Sequence, residues 1–486
     1  MTFGSTLLQN PIKTALHKDE SSFRFIVKGQ GVILFNNKYP ELCGVSIYNN
    51  YKTDGLTIQI TPMNVIVMRI KNHAILNDPN NKSGLLNMKG VYYWISLDSQ
   101  NQRLFVGIGE ARIENVIYQY QWIWKKEQDD MRRANKLFLE SLYHIEVIET
   151  VSPIELLRDP ITTCIPMYVL DTDRLSIDDV ASGVYLPDSN LDSICQKLFN
   201  CISGKNFVLD DPSFPDFSKA IENSIKTPGL WCYERLRQKA TEFNKDILET
   251  YLRITIGKNN GESPGIPYVI EIWPVGHFSP IHNHGGANAI IRVLHGSINV
   301  SLFSFLCDKN GGLKPFNRVD FNKDDITWIS PTLNQVHQLQ NLETNKDTCI
   351  TIQCYMNDSD YFDFIDAAGD VQKYEPDSDM DFIAFKMLMK QEWETQKKSS
   401  LKYEDMLLPS LKELCRKNKI KGFSTMKRLE IVELLNNMYN NNTGNMYNNN
   451  TSNMYNNNTS NMYNNNTGNM YNNNTSNMYN NNTSNM

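Results

Sequence analysis

The 486-residue chain carries eight histidines, and five of them, His277, His282, His284, His295 and His337, fall within 61 residues. His282 and His284 stand two apart in the text EIWPVGHFSPIHNH (271–284). In an extended strand, residues two apart project to the same face, so both imidazoles can enter one pocket. Two imidazoles at that spacing can chelate a single ion without strain. A third ligand must then come from a different strand. His277 and His295 fit no ligand register and read as structural.

The flanking residues sharpen the signal. Gly276 stands six residues before His282 and Gly296 twelve after His284, an arrangement that resembles the first cupin motif. The later text DDITWISPTLNQVHQLQN (324–341), with Pro331, His337 and Asn341, resembles the second motif, whose histidine closes the site opposite the first two. Many cupins add a glutamate after the histidine pair, but the candidate positions here are Asn288 and Ala289. The resemblance therefore implies three neutral imidazoles, His282, His284 and His337, and no carboxylate. Fe(II) on such a set keeps its full double charge and an open face, which favours a soft anionic ligand such as a thiolate.

Residues 190–395 resemble the cysteine dioxygenase (thiol dioxygenase) branch of the cupins. The YLR text at 251–253 matches the strand that bears that family's carboxylate-binding arginine, which implies Arg253 in that role, with Tyr251 on the same face. An ordinary surface arginine on a strand is the bland alternative. Trp273 and the GHFSPIHNH text also fit the family, and Trp273 doubles as a core residue. Tyr355, eighteen residues beyond His337, falls where the family places its active-site tyrosine. The resemblance implies Fe(II) as cofactor, a small thiol and O2 as substrates, and a sulfinate as product. It further implies that Arg253 clamps a carboxylate and that Tyr251, Trp273 and Tyr355 line the substrate.

Two departures matter. Members with a Cys–Tyr thioether place the cysteine five residues after the second histidine, where this chain has Ala289, so that crosslink cannot form. The family's Ser-x-His-x-Tyr text reads Thr351-Ile-Gln353-Cys354-Tyr355, and a glutamine cannot titrate near neutral pH. Cys349 and Cys354, five apart on a strand, face opposite sides and make an improbable metal pair.

These groups need a frame. Strand texture runs from Tyr251 to about Tyr355, preceded by an amphipathic helix in which Leu191, Ile194, Cys195, Leu198, Phe199 and Ile202 share a face. Further helical segments are expected around 215–226 and 230–250, and a closing helix over 379–396 with Ser378 and Asp381 as a capping pair. The whole cupin unit spans 189–397. Upstream, 21–125 alternates β-branched and aromatic residues between Gly, Asn and Asp, which predicts a β-sandwich accessory domain. Its YYWISLD and QRLFVGIGEA texts resemble the farnesoic-acid-O-methyltransferase-like domain, and Gly107-Ile108-Gly109 reads as a strand turn. The span 126–188 reads as a linker region with a helix over 129–147. The fold class expected is mainly β and multidomain: a sandwich, helices leading into a cupin β-barrel or jelly roll, a small helical module and a disordered tail.

Residues 401–436 suggest two short helices, one carrying Leu411, Leu414 and Cys415, the other Leu429, Val432 and Leu435 behind a Ser424 or Thr425 cap. They resemble a SAP-like module. Residues 399–436 hold eight Lys/Arg against five Asp/Glu, so a nucleic acid or protein partner is implied there. From 437 onward an octapeptide, NMYNNNT[G/S], repeats six times; four Asn per unit cannot repay the backbone entropy, which predicts a disordered tract.

Composition excludes several classes. The net charge is −6 and the pI about 5.8, unlike a protein that binds nucleic acid through bulk positive charge. No run of 18 apolar residues suggests a membrane span, and no secretory signal is visible. Nine scattered cysteines without a CxxC read as reduced thiols, so a cytoplasmic protein without membrane partners is expected. Two other readings stay open: a non-enzymatic metal-binding cupin used in binding or assembly, and a dioxygenase for another thiol, such as 3-mercaptopropionate, cysteamine or an N-terminal cysteine.

Overall fold

Alternation of apolar residues over the first 157 residues builds two sheets, here seen in a computed structural model that describes residues 12–14, 22–37, 42–84, 91–122, 129–148, 151–242, 245–257, 268–307, 314–356, 362–366, 369–374, 378–404 and 406–436. One sheet has six strands in the order Ile12–Thr14, Val151–Leu157, Gln30–Asn37, Val91–Asp98, Arg103–Ile108, Val116–Gln121. The other has five, in the order Ser22–Arg24, Leu142–Ile148, Cys43–Asn49, Gly55–Ile60, Val65–Arg69. Ile33, Phe35, Tyr93, Ile95, Leu104 and Val106 from the first meet Val45, Ile47, Leu56, Ile58 and Val67 from the second in one buried core. This is the expected sandwich, with two corrections.

The expected helix over 129–147 stops at Ser141, and the span 126–188 is not a linker. Leu142–Ile148 pairs with Cys43–Asn49 and buries Leu142 and Ile145, a register shift between Leu142 and His144 bringing both to the core, while Val151–Leu157 pairs with Gln30–Asn37. Each sheet thus needs a strand from beyond residue 140, and the sandwich closes at 157 rather than 125.

The second body of strands holds a six-stranded sheet in the order Ile326–Ile329, Asn288–His295, Cys349–Met356, Tyr268–Trp273, Leu252–Gly257, Met380–Asp381. A three-stranded sheet, Asn317–Asn322, Ser297–Leu302, His337–Gln340, packs against it through Ile298, Val300, Leu302, Phe321 and Leu339, which meet Trp273, Val293 and Cys349. A hairpin, Phe362–Ile365 with Val371–Tyr374, completes it. Two sheets with this inward alternation form a jelly roll, and the chain is a mainly β, multidomain protein.

The helix Ser193–Ile202 lies on the outer face of the large sheet, burying Cys195, Leu198, Phe199 and Ile202. Its N-terminus is capped by Asp192, whose carboxylate accepts the Ile194 and Cys195 N–H groups. None of the nine cysteines forms a disulfide, and seven are buried. Among the described residues no helix is long and apolar enough to cross a membrane.

A separate compact unit combines described residues of 210–247 with those of 383–436, so the span 189–397 is not one contiguous domain. Phe217 and Trp231, from helices Phe217–Lys226 and Trp231–Glu242, pack on Phe385 of the helix Phe382–Glu404. The expected second helix over 230–250 ends at Glu242. The closing helix starts at Phe382 rather than 379 because Met380–Asp381 pairs with Ile254 and Thr255. Ser378 therefore makes no helix cap, and its hydroxyl donates to the Met380 carbonyl. In the small module, Leu411 and Cys415 of Leu408–Lys417 pack on Ile431, Val432 and Leu435 of a helix over 428–436. Leu429 points outward, 73% exposed, and Ser424 and Thr425 lie in a 3-10 turn instead of capping. The Asn-rich repeats, 437–486, lie outside the described residues.

Candidate metal centre

The triad is assembled by backbone pairing before any side chain acts. His282 and His337 form an isolated antiparallel bridge, each amide donating to the other's carbonyl at 3.0 Å. Gly296, at φ +70°, turns the chain where an added Cβ would sit 2.6 Å from the Thr348 carbonyl, so the motif glycine is required by a close approach.

The three imidazoles converge. One ligand nitrogen from each of His282, His284 and His337 lies within 4.8 Å of the others, the one such group among the described residues. His282 Nδ1 faces the Pro280 carbonyl at 3.0 Å and His337 Nδ1 the Asn334 carbonyl at 2.9 Å. Those contacts place the ring proton on Nδ1 and leave Nε2 of each as the donor. The Nε2 atoms of His284 and His337 are 3.0 Å apart. Two ligands at about 2.1 Å from one metal, at right angles, stand about 3 Å apart. His284 Nδ1 is buried without a hydrogen-bond partner.

Burial disfavours charge on all three rings. It pushes His282 down to about 4, against the pull of the Pro280 carbonyl, and His337 to about 3, where His282 adds to the effect. His284 falls well below its ordinary value through burial, then through its histidine neighbours and Arg253. The set is neutral at ordinary pH, the state in which imidazole coordinates a metal. The residues fit a metal ion, and the triad can hold one.

Ala289 is buried and lies directly across from Tyr355, while Asn288 on the opposite face meets Cys195. Neither candidate position carries a carboxylate to the histidines. The Tyr355 ring stacks near His284 at 5.7 Å, and the Phe362 ring closes the other side, 4.5 Å from His284.

Behind the rings runs a buried chain of polar groups. Tyr355 Oη donates to Gln353 Oε1, Gln353 Nε2 donates to Glu271 Oε2 at 2.6 Å, and Glu271 Oε1 pairs with Arg253 Nη1 at 3.2 Å. Arg253 is 2% exposed, which removes the surface-arginine alternative, and its Nη2 has no hydrogen-bond partner. Burial works most strongly against its charge, but Glu271, with Tyr251, Tyr355 and Tyr374 adding to it, offsets this and keeps the guanidinium protonated. Burial, then Glu271, raises the Tyr355 phenol, so it stays neutral. Tyr251 is partly buried and stacks on Trp273, centroids 4.2 Å apart, while Trp273 itself lies in the core at 1% exposure.

His277 lies elsewhere, its Nδ1 2.6 Å from the Thr250 carbonyl, and His295 is not part of the triad. Cys349 and Cys354 are buried and join no metal group. Two residues of the site escaped sequence reasoning. Glu271 is the single charge in the apolar strand YVIEIW, and the strand period already puts it on the face of Trp273. Phe362 carries no motif that could have identified it.

No family model matches the chain. Among solved structures, the chain is similar to a cupin 2 domain-containing protein from Halorhodospira halophila, at 14% identity over 30% of this chain and 80% of that one, TM-score 0.17. It is also similar to L-ribose isomerase from Acinetobacter sp. DL28, at 16% identity over 21% of this chain and 53% of that one, TM-score 0.16. A third similarity is to hydroquinone 1,2-dioxygenase in complex with Cd2+ and 4-hydroxybenzonitrile, at 14% identity over 22% of this chain and 63% of that one, TM-score 0.16. The chain thus spans only about half to two thirds of the isomerase and the dioxygenase. The fold and the triad together give a jelly roll whose three histidines can hold a metal ion.

Proposed function

We propose that the chain is an iron(II)-dependent thiol dioxygenase that joins a small thiol, R–SH, to O2 and yields the sulfinic acid R–SO2H, with cysteine as the reference substrate. The observation that carries this reading is the donor set: three neutral imidazoles without a carboxylate, backed by a buried arginine that has one N–H donor to spare. When bound, Fe(II) supplies open positions for a thiolate and O2 and the redox chemistry between them.

The chain's own residues bind and orient. Arg253 Nη2 is the donor left for a substrate carboxylate. Tyr355 Oη donates its hydrogen bond to Gln353 Oε1, so its oxygen offers lone pairs to a substrate N–H. The Trp273 ring supports Tyr251 on the same face as Arg253, and the Phe362 ring packs against His284.

One observation favours the same reaction on a different thiol. Glu271 already offsets the Arg253 charge, so a pocket for a full carboxylate is weakened and cysteamine or an N-terminal cysteine becomes a fitting substrate. The test is oxygen uptake and sulfinate formation by anaerobically Fe(II)-loaded protein offered cysteine, 3-mercaptopropionate, cysteamine and a cysteinyl peptide. Arg253→Ala should cut affinity sharply for carboxylate-bearing thiols and hardly change it for cysteamine. Absence of uptake with every thiol would leave a metal-binding protein without this activity.

A further inference from the structure

The N-terminal sandwich reaches the third histidine through one turn. Arg112 sits just past its strand Arg103–Ile108, and its side chain is fully buried. Its Nη1 donates to Asn334 Oδ1 at 2.7 Å, and its Nη2 to the Ile165 carbonyl at 3.3 Å. Glu110, 3.7 Å from Arg112, accepts the Gln335 N–H at 2.8 Å. Two sandwich residues therefore grip two consecutive residues of the jelly roll, Asn334 and Gln335.

That turn is the one that orients the metal site. Asn334 is 2% exposed and adopts the left-handed conformation, φ +62°, with its Nδ2 donating to the Trp328 carbonyl at 2.9 Å. Its own carbonyl is the acceptor for His337 Nδ1. Gln335 Nε2 donates to the Ala287 carbonyl at 2.9 Å, and the Ala287 amide in turn donates to the His284 carbonyl at 3.0 Å. The junction is tight nearby as well: Gly109, at φ +68°, passes so close to Ser304 that a Cβ would sit 1.7 Å from its carbonyl oxygen.

We propose that Arg112 and Glu110 of the sandwich are positioning residues for the metal centre, holding Asn334 so that its carbonyl fixes the His337 ring with Nε2 turned inward. The proposal rests on the metal-binding reading of the triad and adds to it a role for the accessory domain. A partner that orients a ligating imidazole typically contributes about 10- to 100-fold to metal affinity.

The experiment is a Co(II) titration of the full chain, followed by visible absorption and by competition with a chelator, with thermal unfolding of the metal-free protein alongside. Asn334→Gly keeps the left-handed backbone but loses the grip of Arg112; Co(II) affinity should fall about tenfold or more and the absorption bands should shift. Asn334→Asp keeps an acceptor for Arg112 and tolerates the same backbone but loses the donor to the Trp328 carbonyl, so its Co(II) affinity should fall less than that of Asn334→Gly. Arg112→Lys keeps the charge without the fork and should behave as Asn334→Gly does. Parent-like affinity and spectrum in Asn334→Gly and Arg112→Lys, with His337→Ala still losing the metal, overturns the positioning role alone. A parent chain that takes up no Co(II) overturns the metal reading and the proposal together.

Discussion

Glu271 and Arg253 face each other across neighbouring strands, Oε1 to Nη1 at 3.2 Å, with both side chains buried. A buried pair is costly to break from one side because the remaining charge is left without compensation, on the order of 3–5 kcal/mol. Arg253→Ala should lower unfolding stability by about that amount, and Arg253→Met combined with Glu271→Leu should recover most of it. Urea unfolding of the three proteins checks this, and equal losses in the single and double variants would refute the pairing. In turnover, Glu271→Gln should lower KM for carboxylate-bearing thiols.

The triad imidazoles are the expected metal ligands. The purified full chain should carry up to one metal ion, and His282→Ala, His284→Ala or His337→Ala should each abolish stoichiometric binding. His295→Ala, outside the triad, should retain it. Elemental analysis after dialysis reads the result; retention in all three triad variants contradicts the assignment.

The register sets Ala289 opposite Tyr355, and both belong to one buried cluster. Ala289→Cys should therefore place a thiol against the Tyr355 ring, at a packing cost of about 1–3 kcal/mol. Incubated with Fe(II), thiol and O2, this variant should form a Cys–Tyr thioether and lose two hydrogens, seen as a mass change of about 2 Da in the linked peptides. An unmodified Tyr355 after sustained turnover speaks against this geometry.

Glu392 gives the second unit a pH dependence. Its Oε1 accepts the Trp231 N–H at 2.9 Å, and burial pushes its carboxyl up to about 7 despite that bond. The folded state then keeps a proton that the unfolded chain releases near 4.5, so this stabilising contribution is complete below pH 4.5. It is lost as pH rises toward and through 7, by on the order of 3 kcal/mol. Glu392→Gln, neutral in both states, should flatten the stability profile between pH 5 and 8. Chemical unfolding across that range decides it, and parallel profiles would sink the assignment.

Much of the site was legible because strand periodicity is local. His282 lies in an isolated bridge and His284 just beyond it, outside any strand, yet their spacing of two still brings both rings to one centre, and Tyr251 immediately precedes the strand that carries Arg253. The motif glycines marked the turns that bracket the pair, and the apolar stripe from Leu191 to Ile202 marked the helix that backs the sheet. Local pattern also gave the sandwich its alternating strands, yet it could not tell which distant strands complete each sheet. Leu142–Ile148 and Val151–Leu157 look like parts of a linker until their partners, more than 90 residues earlier, are known.

The residue types, their spacing and the absence of a carboxylate after the histidine pair were determined by the sequence itself, because side-chain chemistry and a period of two need no long-range contacts. Tertiary structure alone decided that Glu271 offsets Arg253, that Phe362 walls the histidines and that Arg112 reaches the turn beside His337. Those relations join strands and loops separated by up to 222 residues between Arg112 and Asn334, and only the packing of sheets brings such groups within hydrogen-bonding distance.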